Sequence, residues 1–264
     1  YTAKEAAKGH RTKKSGQSEW FVGYKKHTLR ILFLNQSPIW SIPAITVVKP
    51  ANTGDGDVLS EMILLWPQYL PAPIIVADMG YLQAERKKQL REQYKIALIT
   101  RVRASMKPPQ NFGLEPDGCP TCFWGQRLRH DFFDWEKQKH LYLKPDEGQK
   151  CYQCPFSFNC PQEFWLSPEI HETYLCAQPL HTRLAQKLLQ YARPVAEPAF
   201  NEDKNRFMLK SLFINSLSLA EFASLLVDST KLLTTLVRLK ETHGKQLKKT
   251  SNRLLDQLKL PLFS

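Results

Sequence analysis

Two short, wholly apolar runs constrain the fold more than any other feature. Ile74-Ile75-Val76-Ala77 ends in the carboxylate of Asp78, and a second run covers residues 96–102. Runs this short, with no polar alternation, read as strands buried on both faces. Residues 84–94 between them carry the charges of an amphipathic helix. Upstream, Trp20 to Leu34 and Ile39 to Val48 are rich in aromatic and β-branched residues and predict two further strands. Pro50-Ala51-Asn52-Thr53-Gly54-Asp55-Gly56-Asp57 is turn chemistry, and Val58 to Trp66 then predicts a helix capped by an Asp and stopped by Pro67. Residues 20–103 thus read strand, strand, helix, strand, helix, strand, a mixed α/β sheet flanked by helices.

Residues 104–176 differ. They hold all six cysteines, many Pro, Gly and aromatic residues and little periodicity, and read as an insertion. Helical spacing returns from His181. Over residues 217–242 the leucines 217, 219, 225, 226, 232, 233, 236 and 239, with Phe222, predict an amphipathic helix. The expected organisation is a basic exposed end (1–19), a first α/β part (20–103), a Cys-rich insertion (104–176), a helical remainder (177–242) and a basic tail (243–264).

Charge is concentrated at the ends. Residues 1–30 and 231–264 each carry eight basic and two acidic side chains, whereas the residues between them sum to zero, out of a total of +12. Such ends suit a polyanion, because each Lys or Arg placed on a phosphate releases counterions. No apolar run approaches the ~18 residues of a membrane span, and no charged-then-apolar leader opens the chain. A cytoplasmic protein without a membrane partner is therefore expected. In that setting six cysteines point to metal or free thiols rather than a disulfide scaffold.

Two carboxylates stand out. Asp78, followed by Met79-Gly80-Tyr81, sits where α/β sheets place ligand-binding groups; it also suits the cap of the next helix. Glu197 lies four residues after Arg193 and seven before Lys204, so one continuous helix would put all three on one face. Pro194 and Pro198 argue for a helix that is kinked or begins there.

These residues carry a resemblance. Phe21-Val22-Gly23-Tyr24-Lys25-Lys26-His27, then Pro50-Ala51-Asn52 with Asp55, then Ile75-Val76-Ala77-Asp78-Met79-Gly80-Tyr81, then Arg193 through Phe200 with Lys204, follow the motif order of bacterial insertion-sequence transposases of the DDE class. The Arg, Glu and Lys spacing of the last motif fits; Tyr191 is one residue too close. The resemblance spans about residues 20–240. It implies an RNase H-like fold whose three acids hold two Mg²⁺ ions for DNA strand cleavage and transfer. Asp78 matches the second acid and Glu197 the third. Oxygen donors suit these hard cations. Arg193, Lys204, Lys25 and Lys26 are assigned to DNA phosphates. The expected partner is duplex DNA at element ends and target, with a homodimer as the candidate assembly. The first acid is missing, since residues 1–23 contain no Asp. A chain beginning just after the strand that bears it, or a degenerate element, would explain this. Little activity is expected from these residues alone, and a non-catalytic, zinc-stabilised DNA-binding remnant or another RNase H-like nuclease are the rival readings.

The cysteines form two CxxC pairs, Cys119/Cys122 and Cys151/Cys154, the arrangement of a zinc ribbon. Cys160 could replace any of the four, and Cys176 reads as a plain buried thiol. His27 reads as structural, and the remaining histidines receive no catalytic role.

Overall fold

The computed structural model of the chain describes residues 5–12, 16–34, 39–66, 74–102, 106, 113–145, 151, 153–171, 174–207, 209 and 214–257. It is a mixed α/β protein of small sheets and helices that divides into two compact units, residues 1–53 with 196–264, and residues 54–195. These units cut across the organisation expected from composition, because the two ends of the chain belong together.

In the first unit, β1 (Ala7–Thr12), β2 (Ser18–Phe33) and β3 (Trp40–Pro50) form an antiparallel meander in that order. The register runs from Tyr24 opposite Pro50 to Phe33 opposite Trp40, with a shift between Leu29 and Arg30. β1 corrects the expectation of a featureless polar end. Its Gly9 is needed for close approach, since a Cβ there would lie 2.7 Å from the Ala51 Cβ.

Helix α4 (Leu217–Gln257) packs on β3. Its buried residues Ala220, Ser224, Val227, Asp228 and Lys231 recur at helical spacing on one face. The leucines expected to form that face are largely exposed, among them Leu219, Leu225, Leu226, Leu233 and Leu236. The reason is electrostatic. Lys26 on β2 donates from Nζ to Asp228 Oδ1 at 2.7 Å and to Asp203 Oδ2 at 3.1 Å. Thr46 Oγ1 on β3 donates to Asp228 Oδ2 at 2.5 Å. Lys231 Nζ donates to Asp203 Oδ1 and to the Ala199 carbonyl, the latter at 2.8 Å. Two lysines and two aspartates, nearly all buried, thus neutralise one another.

Asp203 belongs to α3 (Arg183–Asn205), which runs through both prolines and so corrects the expectation that the helix starts there. Each proline removes the N–H that would meet the carbonyl four residues back. The carbonyls affected are those of Gln190 and Pro194. Gln190, Pro194 and Pro198 are all exposed, so both defects fall on one wet side of the helix, where water can donate instead.

The second unit opens with α1 (Asp55–Leu64). It begins earlier than the sequence suggests, with Gly54 as N-cap and no side-chain cap bond, while Asp55 and Asp57 sit in its first turn. β4 (Ile74–Ala77), α2 (Ala84–Tyr94) and β5 (Ala97–Thr100) follow, and β4 and β5 pair in parallel. A three-stranded antiparallel sheet then forms from β6 (Arg129–Asp134), β7 (Lys139–Leu143) and β8 (Glu163–Leu166). This Cys-rich stretch is not a separate appendage. Ala97 of β5 packs with Phe133 and Ala177, and Ile99 packs with Tyr174, Leu180 and Ala185.

Removing one partner from a buried charge cluster leaves an uncompensated charge. Lys26→Met should therefore destabilise the chain by about 3–5 kcal/mol, whereas Lys204→Ala, at an exposed site, should cost under about 0.5 kcal/mol. Urea unfolding followed by circular dichroism checks this; equal stabilities of the two variants would contradict it.

Candidate functional site

Asp78 emerges at the carboxyl end of β4, exposed, as the N-cap of a 3₁₀ turn spanning Met79–Tyr81. Its Oδ1 accepts from the Met79 N–H at 2.8 Å. Asp55 lies beside the same turn, because a Cβ at Gly80 would fall 2.5 Å from Asp55 Oδ2. Burial raises the Tyr81 phenol, and the carboxylates of Asp55 and then Asp78 raise it further. The end of β4 therefore gathers two carboxylates against one tyrosine. Sequence reasoning set Asp55 aside as a turn residue. The signal that could have found it is the glycine of Asp78-Met79-Gly80-Tyr81, which leaves room for a neighbouring side chain.

Glu197 is exposed on α3, and Lys204 is exposed seven residues on. The unbroken helix keeps Arg193, Glu197 and Lys204 on one face by spacing; the Arg193 side chain lies outside the described residues. Asp78 belongs to the second compact unit and Glu197 to the first. Lys25 is half-buried, opposite Lys49 in the β2–β3 register. Lys26 departs from the expected phosphate contact. Its side chain is 13% exposed and its ammonium is engaged by Asp203 and Asp228, so it holds the fold together. Asp203, Asp228 and Lys231 were missed altogether, since nothing near them in the sequence signals that their partners lie far away in the chain.

The six cysteines divide into two groups. Cys119 is buried, its thiol donating to the carbonyls of Leu128 at 3.5 Å and Pro120 at 3.6 Å, and burial pushes it up to about 11. Cys176 is buried too and donates to the Gln178 carbonyl at 2.9 Å. Cys122, Cys151, Cys154 and Cys160 are half-buried and line one small cavity. The pairing of Cys119 with Cys122 expected from the CxxC spacing is not what the cavity contains. Among the described residues, no group of three or more His, Cys, Asp or Glu stands close enough together, as the side chains lie, to hold a metal ion.

A second buried cluster is aromatic and imidazole. His130 and His140 share a hydrogen bond between Nε2 and Nδ1 at 3.1 Å, and His140 Nε2 meets the Leu175 carbonyl at 3.0 Å, which makes Nε2 the donor. His181 stacks on Tyr142 at 5.8 Å between ring centres. Neither ring nitrogen of His181 nor the Tyr142 hydroxyl has a hydrogen-bond partner among the described residues. The histidines pack the interior beside Tyr142 and serve no evident chemistry.

No family model, curated protein or solved structure matches the chain. Among the described residues, no helix is long and apolar enough to cross a membrane.

The imidazole cluster carries a pH signature. Burial lowers His130 and His181 to about 4 and His140 to about 3, from an ordinary value of 6.5. Between pH 6.5 and 4 the unfolded chain holds protons that the folded chain refuses. Stability should then fall with falling pH across that window, by up to about 1.4 kcal/mol per pH unit for each histidine. Above pH 6.5 these groups add no slope. Urea midpoints measured from pH 7.5 to 4.5 test this. His181→Leu should remove about a third of the slope, and a flat profile would contradict the assignment.

Proposed function

We propose that the chain is part of a DDE-type transposase, an enzyme for metal-dependent cleavage and strand transfer of insertion-sequence DNA, on an RNase H-like scaffold. The observation that carries the reading is where the motif acids lie. Asp78 stands exposed just beyond a parallel strand, held by a backbone N–H, and Glu197 stands exposed on a long helix with Lys204 on the same face. An antiparallel β1-β2-β3 meander and a parallel β4-β5 pair joined through α2 resemble pieces of such a scaffold, although here they form two separate sheets rather than the one mixed sheet expected from the sequence.

Charge supports the nucleic-acid part. The first compact unit holds 20 Lys+Arg against 9 Asp+Glu, a net +11, and the second 17 against 16, a net +1. The two basic ends, far apart in sequence, fall in the same unit. A body so charged attracts phosphates and steers them by long-range field.

The donor chemistry of Asp78 and Glu197 fits Mg²⁺, which prefers carboxylate oxygen. When bound, a pair of such ions would activate an attacking oxygen and stabilise a leaving one. The chain's own contribution is positional. The Met79 N–H orients Asp78, the 3₁₀ turn brings Asp55 and Tyr81 alongside, and Lys204 offers an ammonium to a phosphate on the Glu197 face. Lys26 has no part in this, being internal. With no first acid assigned, the proposed activity of these residues alone is low. The second reading is a non-catalytic DNA-binding remnant, and the basic first unit suits it as well.

Duplex DNA binding should weaken steeply with salt, by about 10³-fold or more between 50 and 200 mM if six or more phosphates are contacted. Fluorescence anisotropy with a labelled duplex measures it. Asp78→Asn and Glu197→Gln should leave the affinity intact or raise it, because each removes a negative charge, while Lys204→Ala should lower it. A salt-independent affinity, or loss of binding in both acid variants, would contradict the proposal.

A further inference from the structure

The cavity lined by Cys122, Cys151, Cys154 and Cys160 lies in the second unit, beside the β6-β7-β8 sheet, and none of the proposed DNA chemistry uses it. It measures about 20 Å³, enough for a single small occupant. We propose that these four cysteines form a tetrahedral thiolate site for zinc, with Cys119 excluded.

The backbone prepares the donors. The Cys154 N–H donates to the Cys151 carbonyl at 3.2 Å, and the Ser157 N–H to the Cys154 carbonyl at 3.1 Å. This turn sets Cys151 and Cys154 together and leads through a 3₁₀ turn at Ser157–Asn159 to Cys160. Cys122 comes from a different turn, where its N–H donates to the Gln126 carbonyl and its carbonyl accepts from the Gly125 N–H, both at 2.8 Å. Gly125 has φ +70, which keeps that turn tight. One knuckle thus brings two thiols, and two separate turns bring one each.

The surroundings suit a charged centre. Four thiols that bind one Zn²⁺ release four protons and leave a net charge of −2. Lys144 lines the same cavity and supplies compensating positive charge, and Trp124 supplies an apolar wall. Cys119 and Cys176 are buried and donate to carbonyls in the interior; the Cys160 thiol also meets a carbonyl, that of Pro161 at 3.7 Å, but at the surface beside the cavity.

Such a site would also tie two parts of the second unit together. The Lys144 N–H meets the Gln162 carbonyl at 2.9 Å, so the ends of residues 145–161 are closed on each other. A metal bonded to Cys151, Cys154 and Cys160 and anchored at Cys122 would tie that connection to the turn before β6.

The test is on the whole chain. Purified with zinc present, it should carry one zinc per chain by elemental analysis, and X-ray absorption at the zinc edge should count four sulfur neighbours. Cys119→Ser and Cys176→Ser should keep the metal, while Cys122→Ser and Cys160→Ser should weaken zinc binding at least 100-fold. Co²⁺ in place of zinc should give the visible absorption of tetrahedral thiolate cobalt in the wild-type chain, a readout needing no variant. Absence of bound zinc, oxygen or nitrogen in the first shell, or loss of metal in Cys119→Ser with retention in Cys160→Ser, would overturn the assignment. The site stands whether or not the chain acts on DNA.

Discussion

The first compact unit is organised by charges that cannot be left alone. Lys26, Asp203, Asp228 and Lys231 lie out of water and are tolerable only as a set. That set joins β2 to α3 and α4, and Thr46 brings β3 into it. It also fixes how each helix is rolled. With Asp203 turned inward, Glu197, six residues earlier, falls about 120° around the helix and stands in solvent. With Asp228 and Lys231 turned inward, the leucines of α4 are turned out. A hydrophobic contact would tolerate a rolled or shifted helix; a neutralised ion cluster has one register.

The same cluster explains where sequence reasoning stopped. Elements defined by local chemistry were readable. The helix at 84–94 and the strands between residues 18 and 100 follow from apolar runs, β-branching and turn residues. What failed depended on partners distant in sequence. Lys26 pairs with residues 177 and 202 positions away, so nothing near it signals burial. β1 exists because β2 offers an edge, with Ala7 opposite Gly23 and Thr12 opposite Ser18, not because its own residues favour a strand. The prolines of α3 misled because their cost depends on which side of the helix they occupy. Here four-residue spacing puts both on the wet side.

The candidate sites were readable to unequal depth. The Asp78 motif marks its position well, at the end of an apolar strand, where its carboxylate caps the 3₁₀ turn that follows. The companion Asp55 needed the turn geometry of Gly80. The cysteine spacing pointed to metal chemistry in the segment that holds the cavity, and which thiols line that cavity is a matter of burial. Cys119 and Cys122 sit in one CxxC, yet one thiol enters the core and the other lines the cavity. Charge tells a similar story. The sequence shows two basic ends, and only their common compact unit makes one basic body of them.

The proposed activity requires Asp78 and Glu197 to act on the same ions. Mn²⁺ titration followed by electron paramagnetic resonance asks this directly, with the wild-type chain, Asp78→Asn, Glu197→Gln and the double variant. The account predicts that each single substitution weakens Mn²⁺ binding by about tenfold or more, about 1.4 kcal/mol, and that the double variant is little worse than either. Independent losses that add, or a Glu197→Gln variant that binds Mn²⁺ as the wild type does, would contradict a shared metal site.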